Sequence, residues 1–288
     1  MHRRQFQFDN ASFSRRDRAL ECPLAGRDRG AVSSNEGNAV AQGVTWPASE
    51  ERGSKGAASS VPRMYALVWP VYGAVVLAMD TRVGIGGERI LGAMTWFALF
   101  AALWPLPRLA RAQVIGVVVF ATVGEVTGSV LWGVYHYRLH DLPLFVPPGH
   151  GLVYLSGLAL ARILGERRAV LAAAVASLGW GLAGLTASAQ PDIAGAIGVA
   201  LLGVFLWRSH ARAKYAGVFF VVAALEWYGT AIGVWRWRSS VPGLGIGDGN
   251  PPSGAASGYV WFDLMALLVA PWLVYVARIP TSRLAEAR

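Results

Sequence analysis

From residue 64 onward, apolar positions neither alternate with polar ones nor recur at amphipathic spacing; they run on continuously. Eight such runs lie near 64–79, 89–106, 113–134, 150–164, 169–188, 192–207, 215–235 and 259–277, parted by short breaks rich in Arg, Pro and Gly. Helices of roughly 17–25 apolar residues cross a hydrocarbon core about 30 Å thick. The pattern therefore predicts an all-α, polytopic membrane helix bundle with about eight transmembrane helices. The fourth run is short and is read as starting within the preceding loop. Pro70, inside the first run, is a residue that membrane helices tolerate.

Residues 1–63 differ in kind. They mix Arg, Asp, Glu, Ser, Gly and Asn without periodicity. Such a segment cannot bury enough apolar surface to offset the entropy of ordering it. It is read as a disordered tail. It lacks the central apolar run of a signal peptide, and its acidic residues argue against organelle targeting. Met64 stands directly before the first run and offers an alternative start.

Composition agrees with a membrane body. The 288 residues are 54% hydrophobic and 15% charged, against about 25% charged in soluble domains. A net charge of +9 raises the question of nucleic acid, but the basic residues gather at the ends of the runs. Cys22 is the sole cysteine, which excludes an intrachain disulfide and a cysteine-based metal site. With eight spans, one side carries Arg63, Arg108, Arg111, Arg162, Arg167, Arg168, Arg208, Arg212, Lys214, Arg278, Arg283 and Arg288. The other carries Arg82, Arg89, Arg138, Arg236 and Arg238. The basic side, with both termini, is expected to face the cytoplasm of a bacterial plasma membrane.

A repeat stands out. Glu125-Val-Thr-Gly128-Ser129, followed by Gly133-Val-Tyr135-His-Tyr137-Arg138, has a counterpart about one hundred residues later. There the chain reads Glu226-Trp-Tyr-Gly229-Thr230, then Gly233-Val-Trp235-Arg-Trp237-Arg238. One gap is needed before the aromatic pair. Both copies continue to a Pro-Pro pair, Pro147-Pro148 and Pro251-Pro252. The copies lie on the third and seventh spans and run in the same direction. This suggests a parallel repeat of four plus four helices, 64–164 and 165–288, an arrangement known among transporters.

Glu125 and Glu226 fall near the middle of their spans, where a carboxyl costs a few kcal/mol on insertion scales and marks a functional site by default. They are the candidate catalytic acid and base, with Asp263 of the eighth span as a third. The plainer alternative is a protonated pair bonded across helices. Trp132 and Trp227 are placed to stabilise a cation through their faces. Tyr135, Tyr137, Trp235 and Trp237 complete the candidate substrate-binding set, or else anchor the loops at the headgroups. His136, His140, Asp141 and His150 carry metal-binding chemistry, yet their spacing fits no strong metal pattern. The apolar stretch Leu142–Val146 suggests a loop dipping back over the glutamates. The glycine run 243–249 does not join a strand to a helix, so it is no nucleotide cradle. No cofactor is implied.

The stretch Glu125-x-x-Gly128, Gly133-x-Tyr135-x-Tyr137, Leu142-Pro143-x-x-Val146-Pro147, with Trp235-x-Trp237 later, resembles the membrane-bound carotenoid hydratases. The second half lacks that family's Gly-Val-Pro and Asn-x-x-Gly-Trp segments. The resemblance implies acid–base chemistry on a carotene end group. The expected function is thus a membrane-embedded enzyme acting on an isoprenoid, carotenoid or other lipid. Its partners would be the bilayer and a lipophilic small molecule, not nucleic acid. A proton-coupled transporter and a structural membrane protein are the alternatives.

Overall fold

The computed structural model describes residues 60–187 and 189–276. Eight α-helices follow the eight apolar runs to within a few residues: α1 (Tyr65–Asp80), α2 (Ile85–Leu103), α3 (Arg108–Glu125), α4 (Val146–Leu164), α5 (Glu166–Thr186), α6 (Ile193–Arg208), α7 (Arg212–Ala231) and α8 (Gly258–Val276). α3 continues as a π-helix, Val126–Trp132, and two short strands, β1 (Tyr135–Tyr137) and β2 (Trp235–Trp237), follow α3 and α7. α4 does begin inside the preceding loop, with Pro147 in its first turn, where a missing N–H costs no helical bond.

Among the described residues, three helical segments are long and apolar enough to cross a membrane: Arg108–Trp132, Glu166–Thr186 and Ala255–Tyr275. α1 and α6 are apolar but shorter. These features are compatible with a membrane protein in contact with a lipid bilayer. Large apolar side chains such as Phe97, Trp104, Leu171 and Trp207 are exposed, as a lipid-facing surface permits.

The centre is formed by α3, α4, α7 and α8. The closest pairs are α3 with α8 and α4 with α7, and both meet through small residues. A Cβ on Gly116 would lie 2.9 Å from that of Ala266, and one on Gly217 would strike the Gly157 carbonyl. Small residues let helix backbones approach this closely where no hydrophobic force drives them together. Outside the centre, α1 packs on α4 and α7, α2 on α4, and α5 on α6 and α7.

Of the segment 1–63 only the last residues are described. Val61 is buried against the bundle, and Arg162 donates to its carbonyl. The rest of the segment, and the C-terminal arginines from Arg278 on, lie outside the described residues.

Candidate functional site

β1 and β2 pair antiparallel, with Tyr135 opposite Trp237, His136 opposite Arg236 and Tyr137 opposite Trp235. The flanking bonds are reciprocal: Arg138 N–H donates to Val234 O and Arg238 N–H to Val134 O, both at 2.9 Å. Side chains alternate across a strand. Tyr135, Tyr137, Trp235 and Trp237 therefore share one face of the ribbon. Across it, the rings of Tyr135 and Trp237 lie 4.4 Å apart between centroids.

Each strand reaches back to the glutamate of the helix before it. Tyr135 Oη and Tyr137 Oη donate to Glu125 Oε2 at 2.5 and 2.7 Å. Trp235 Nε1 and Trp237 Nε1 donate to Glu226 Oε2 at 2.9 and 3.1 Å. The chain turns back through Gly133 (φ 70°) and Gly233 (φ 79°), a left-handed conformation that favours glycine. The glycine three places after each glutamate makes room for the returning ring. A Cβ on Gly229 would collide with the Trp235 ring, and one on Gly128 would lie 3.0 Å from Tyr135 Cε1. The first copy has one residue more between glutamate and turn. The π-helix absorbs it, because i→i+5 bonding takes up an extra residue without breaking the helix.

His150, on α4, joins the first carboxyl. Its Nε2 lies 3.0 Å from Glu125 Oε1, and its Nδ1 lies 2.7 Å from the Tyr259 hydroxyl. Glu226 Oε1 has no hydrogen-bond partner among the described residues. Burial, reinforced by the Glu125 charge, pushes the phenols of Tyr135 and Tyr137 above the usual tyrosine range. Both therefore remain protonated donors.

The two glutamates line one cavity of about 520 Å³. Its walls come from Trp69, Tyr72 and Val76 of α1, Leu225 of α7, Tyr259 and Phe262 of α8, and the four ribbon rings. The loop before α4 folds inward as its apolar sequence suggested: Phe145 is buried and lines the cavity. Trp132 also lines it, and its Nε1 donates to Pro242 O at 2.9 Å. Trp227 is set apart. It is 56% exposed and lies against Trp180, with ring centroids 5.6 Å apart.

Asp263 is also set apart, outside the cavity wall. It is 0% exposed. Lys214 Nζ donates to its Oδ2 at 2.5 Å and Tyr215 Oη to the same oxygen at 3.1 Å. Oδ1 accepts from Tyr154 Oη and from Gln113 Nε2, the latter at 2.9 Å. One residue or more from each of α3, α4, α7 and α8 meets there. Lys214, which the sequence reading counted as a flanking charge, is 3% exposed inside α7.

The three candidate metal-binding histidines are not brought together. His136 and His140 line a separate cavity of about 240 Å³ with Asp141, whereas His150 faces Glu125. Among the described residues, no three His, Cys, Asp or Glu side chains are grouped to hold a metal ion. Asp192, the N-cap of α6, accepts from the Gly195 amide of that helix and from the Gly249 and Ser253 amides and Ser253 Oγ of the second loop, between β2 and α8, at 2.7–2.9 Å. Burial and the neighbouring Asp192 charge push Asp248 up to about 7.

No family model matches the chain, and no curated protein or solved structure matches it either.

The residues that sequence reasoning missed are His150 as a carboxylate partner, Tyr259 behind it, and the Gln113–Tyr154–Lys214–Tyr215 set around Asp263. The partners lie between 25 and 150 positions apart along the chain. No local pattern signals them. The one clue was a lysine at the head of an apolar run.

Proposed function

We propose that this chain is a membrane-embedded enzyme that performs acid–base chemistry on a carbon–carbon double bond of an isoprenoid, carotenoid or other lipid. The observation that carries this is the pair of carboxyls, Glu125 and Glu226, lining one largely aromatic and aliphatic cavity. Their surroundings differ, which suits two roles. Two phenols and His150 around Glu125 suit a carboxylate acting as base. Glu226, held through one oxygen only, keeps the other for a proton.

In this scheme the Glu226 carboxyl protonates one carbon of the double bond, leaving a carboxylate and a carbocation. Water adds to the cation and gives its proton to Glu125. The net change is addition of water, with one proton moved between carboxyls. Transfer back to Glu226 resets the site. Trp132 and the ribbon rings stabilise the cation through their faces. The resemblance of the Glu125–Pro147 stretch to membrane-bound carotenoid hydratases supports the same chemistry.

The wider architecture belongs to this proposal: eight membrane-crossing helices, termini on the basic cytoplasmic side, and two copies of a helix–strand–loop–helix unit. The mutual ribbon pairing and the matched glutamate clamps support the duplication. They involve α3 with β1 and α7 with β2. The outer pairs, α1–α2 and α5–α6, pack on the centre differently, so the four-plus-four arrangement has its support in the inner half of each unit. A proton-coupled transporter would use the same carboxyls, but the apolar wall favours a lipophilic substrate.

The test is gene deletion followed by mass spectrometry of total lipid and pigment extracts, with complementation by wild type, Glu125→Gln and Glu226→Gln. A precursor cleared by wild type and retained in either variant is expected. Unchanged extracts in cells expressing the protein would overturn the enzyme reading.

A further inference from the structure

Among the described residues, no lysine or arginine lines the cavity that holds Glu125 and Glu226. The groups that touch the carboxyls are hydroxyls, indoles and one imidazole. Hydroxyl and indole donors satisfy a carboxylate oxygen without cancelling its charge. Asp263, by contrast, is neutralised by Lys214 within the same bundle. The two carboxyls thus have no fixed counter-charge in a setting that screens charge poorly, where an opposite charge gains most. Aromatic rings crowd the same space, and ring faces attract cations, more strongly once water is removed. The volume of about 520 Å³ lies within the range of small-molecule sites, about 300–1,000 Å³.

We propose that this cavity is a binding site for a lipophilic cation: a protonated tertiary amine carried on an isoprenoid-sized apolar tail. The inference uses the cavity assigned above but no reaction in it. The ammonium head sits between the two carboxyls, beside the Tyr135–Trp237 ring pair. The tail lies along Trp69, Tyr72, Val76, Phe145 and Leu225. Selectivity rests mainly on Glu226: the amine takes the Glu226 proton, and the carboxylate so formed has only uncharged indoles as partners, whereas Glu125 is already bonded to His150.

The experiment uses the full chain in nanodiscs of zwitterionic lipid, with empty discs as the blank for partitioning. The probes are N,N-dimethylfarnesylamine and its uncharged counterpart, farnesyl methyl ether. Tryptophan fluorescence reports binding, since Trp132, Trp235 and Trp237 line the cavity. The amine is expected to bind at least about tenfold more tightly than the ether, a difference worth 1.4 kcal/mol. Glu226→Gln removes most of that preference while ether affinity stays unchanged, which shows an intact cavity. Glu125→Gln removes less. Equal affinity of wild type for the two probes overturns the proposal, as does a preference retained in both variants. The wild-type ratio decides alone should a variant fail to fold. Unchanged lipid extracts with a strong amine preference would sink the enzyme and leave the cation site. A cleared precursor with no amine preference would do the reverse.

Discussion

Asp263 lies fully buried with Lys214 at 2.5 Å, while Glu125 and Glu226 line a cavity and take only phenol, indole and imidazole partners. The sequence makes these three acids look alike, since each is a carboxyl inside an apolar helix. The structure separates them by what cancels their charge. A buried acid paired with a cation, with every neighbour packed, is a fixture that ties helices together. An acid held by neutral donors beside open space keeps its charge for use. The comparison predicts that the Asp263 cluster governs stability and the cavity pair governs chemistry.

The largest effect is expected at the ion pair. Lys214→Met leaves the Asp263 charge buried without its counter-charge, at a cost of about 3–5 kcal/mol. The double variant Lys214→Met/Asp263→Leu removes both charges and recovers most of the loss. Thermal unfolding of the purified protein measures this. A single variant no less stable than the double would show that the pair is not a lock, and the contrast with the cavity would collapse.

Next in size is a contrast within the cavity itself. A methyl at Gly229 strikes the outer end of the Trp235 ring, whereas one at Gly128 only grazes Tyr135. Gly229→Ala therefore dislodges a ring that holds Glu226, an overpacking cost of about 1–3 kcal/mol. At Gly128 the crowding is mild, and the helix-propensity gain of about 1 kcal/mol for alanine over glycine largely offsets it. Equal losses in the two variants would refute the contrast between the two glycines.

These glycines also mark how far the sequence was legible. Eight apolar runs foretold eight helices because continuous hydrophobicity is a local property. The Glu-x-x-Gly and aromatic-x-aromatic elements were legible for the same reason, since glutamate and rings are 9–12 positions apart, although the bonds between them were not foreseen. Even the single gap between copies had a physical form, the π-helix. Lys214 was misread because a lysine near a helix end usually marks the membrane boundary, and its long stem allowed it to turn inward instead. Trp227 was misplaced because helical spacing places it beside Glu226 in sequence yet on the outer surface in space. Asp263 could not be told from the glutamates without knowing its partner, 49 residues away.

A smaller effect on stability is expected from Glu226→Gln. The amide oxygen still accepts from Trp235 and Trp237, so the fold should change by less than about 1 kcal/mol. Turnover and cation preference should nevertheless be lost. A variant that unfolds like Lys214→Met would place Glu226 in the same structural class as Asp263.

Asp248 supplies the finest test, because it is buried in the second loop beside another acid, Asp192, whose oxygens already accept four hydrogen bonds. Its value is pushed from 3.8 to about 7, by burial first and then by Asp192. The folded chain thus holds this proton more tightly than the unfolded chain. Stability contributed by the protonated form is complete below the unfolded value and is lost as pH rises toward 7. Asp248→Asn keeps the uncharged form at every pH and escapes that loss. The variant should unfold at a higher temperature than wild type at pH 8, with the gap closing as pH falls toward 4. A gap that does not depend on pH would mean that packing around residue 248, and not its charge, sets the difference.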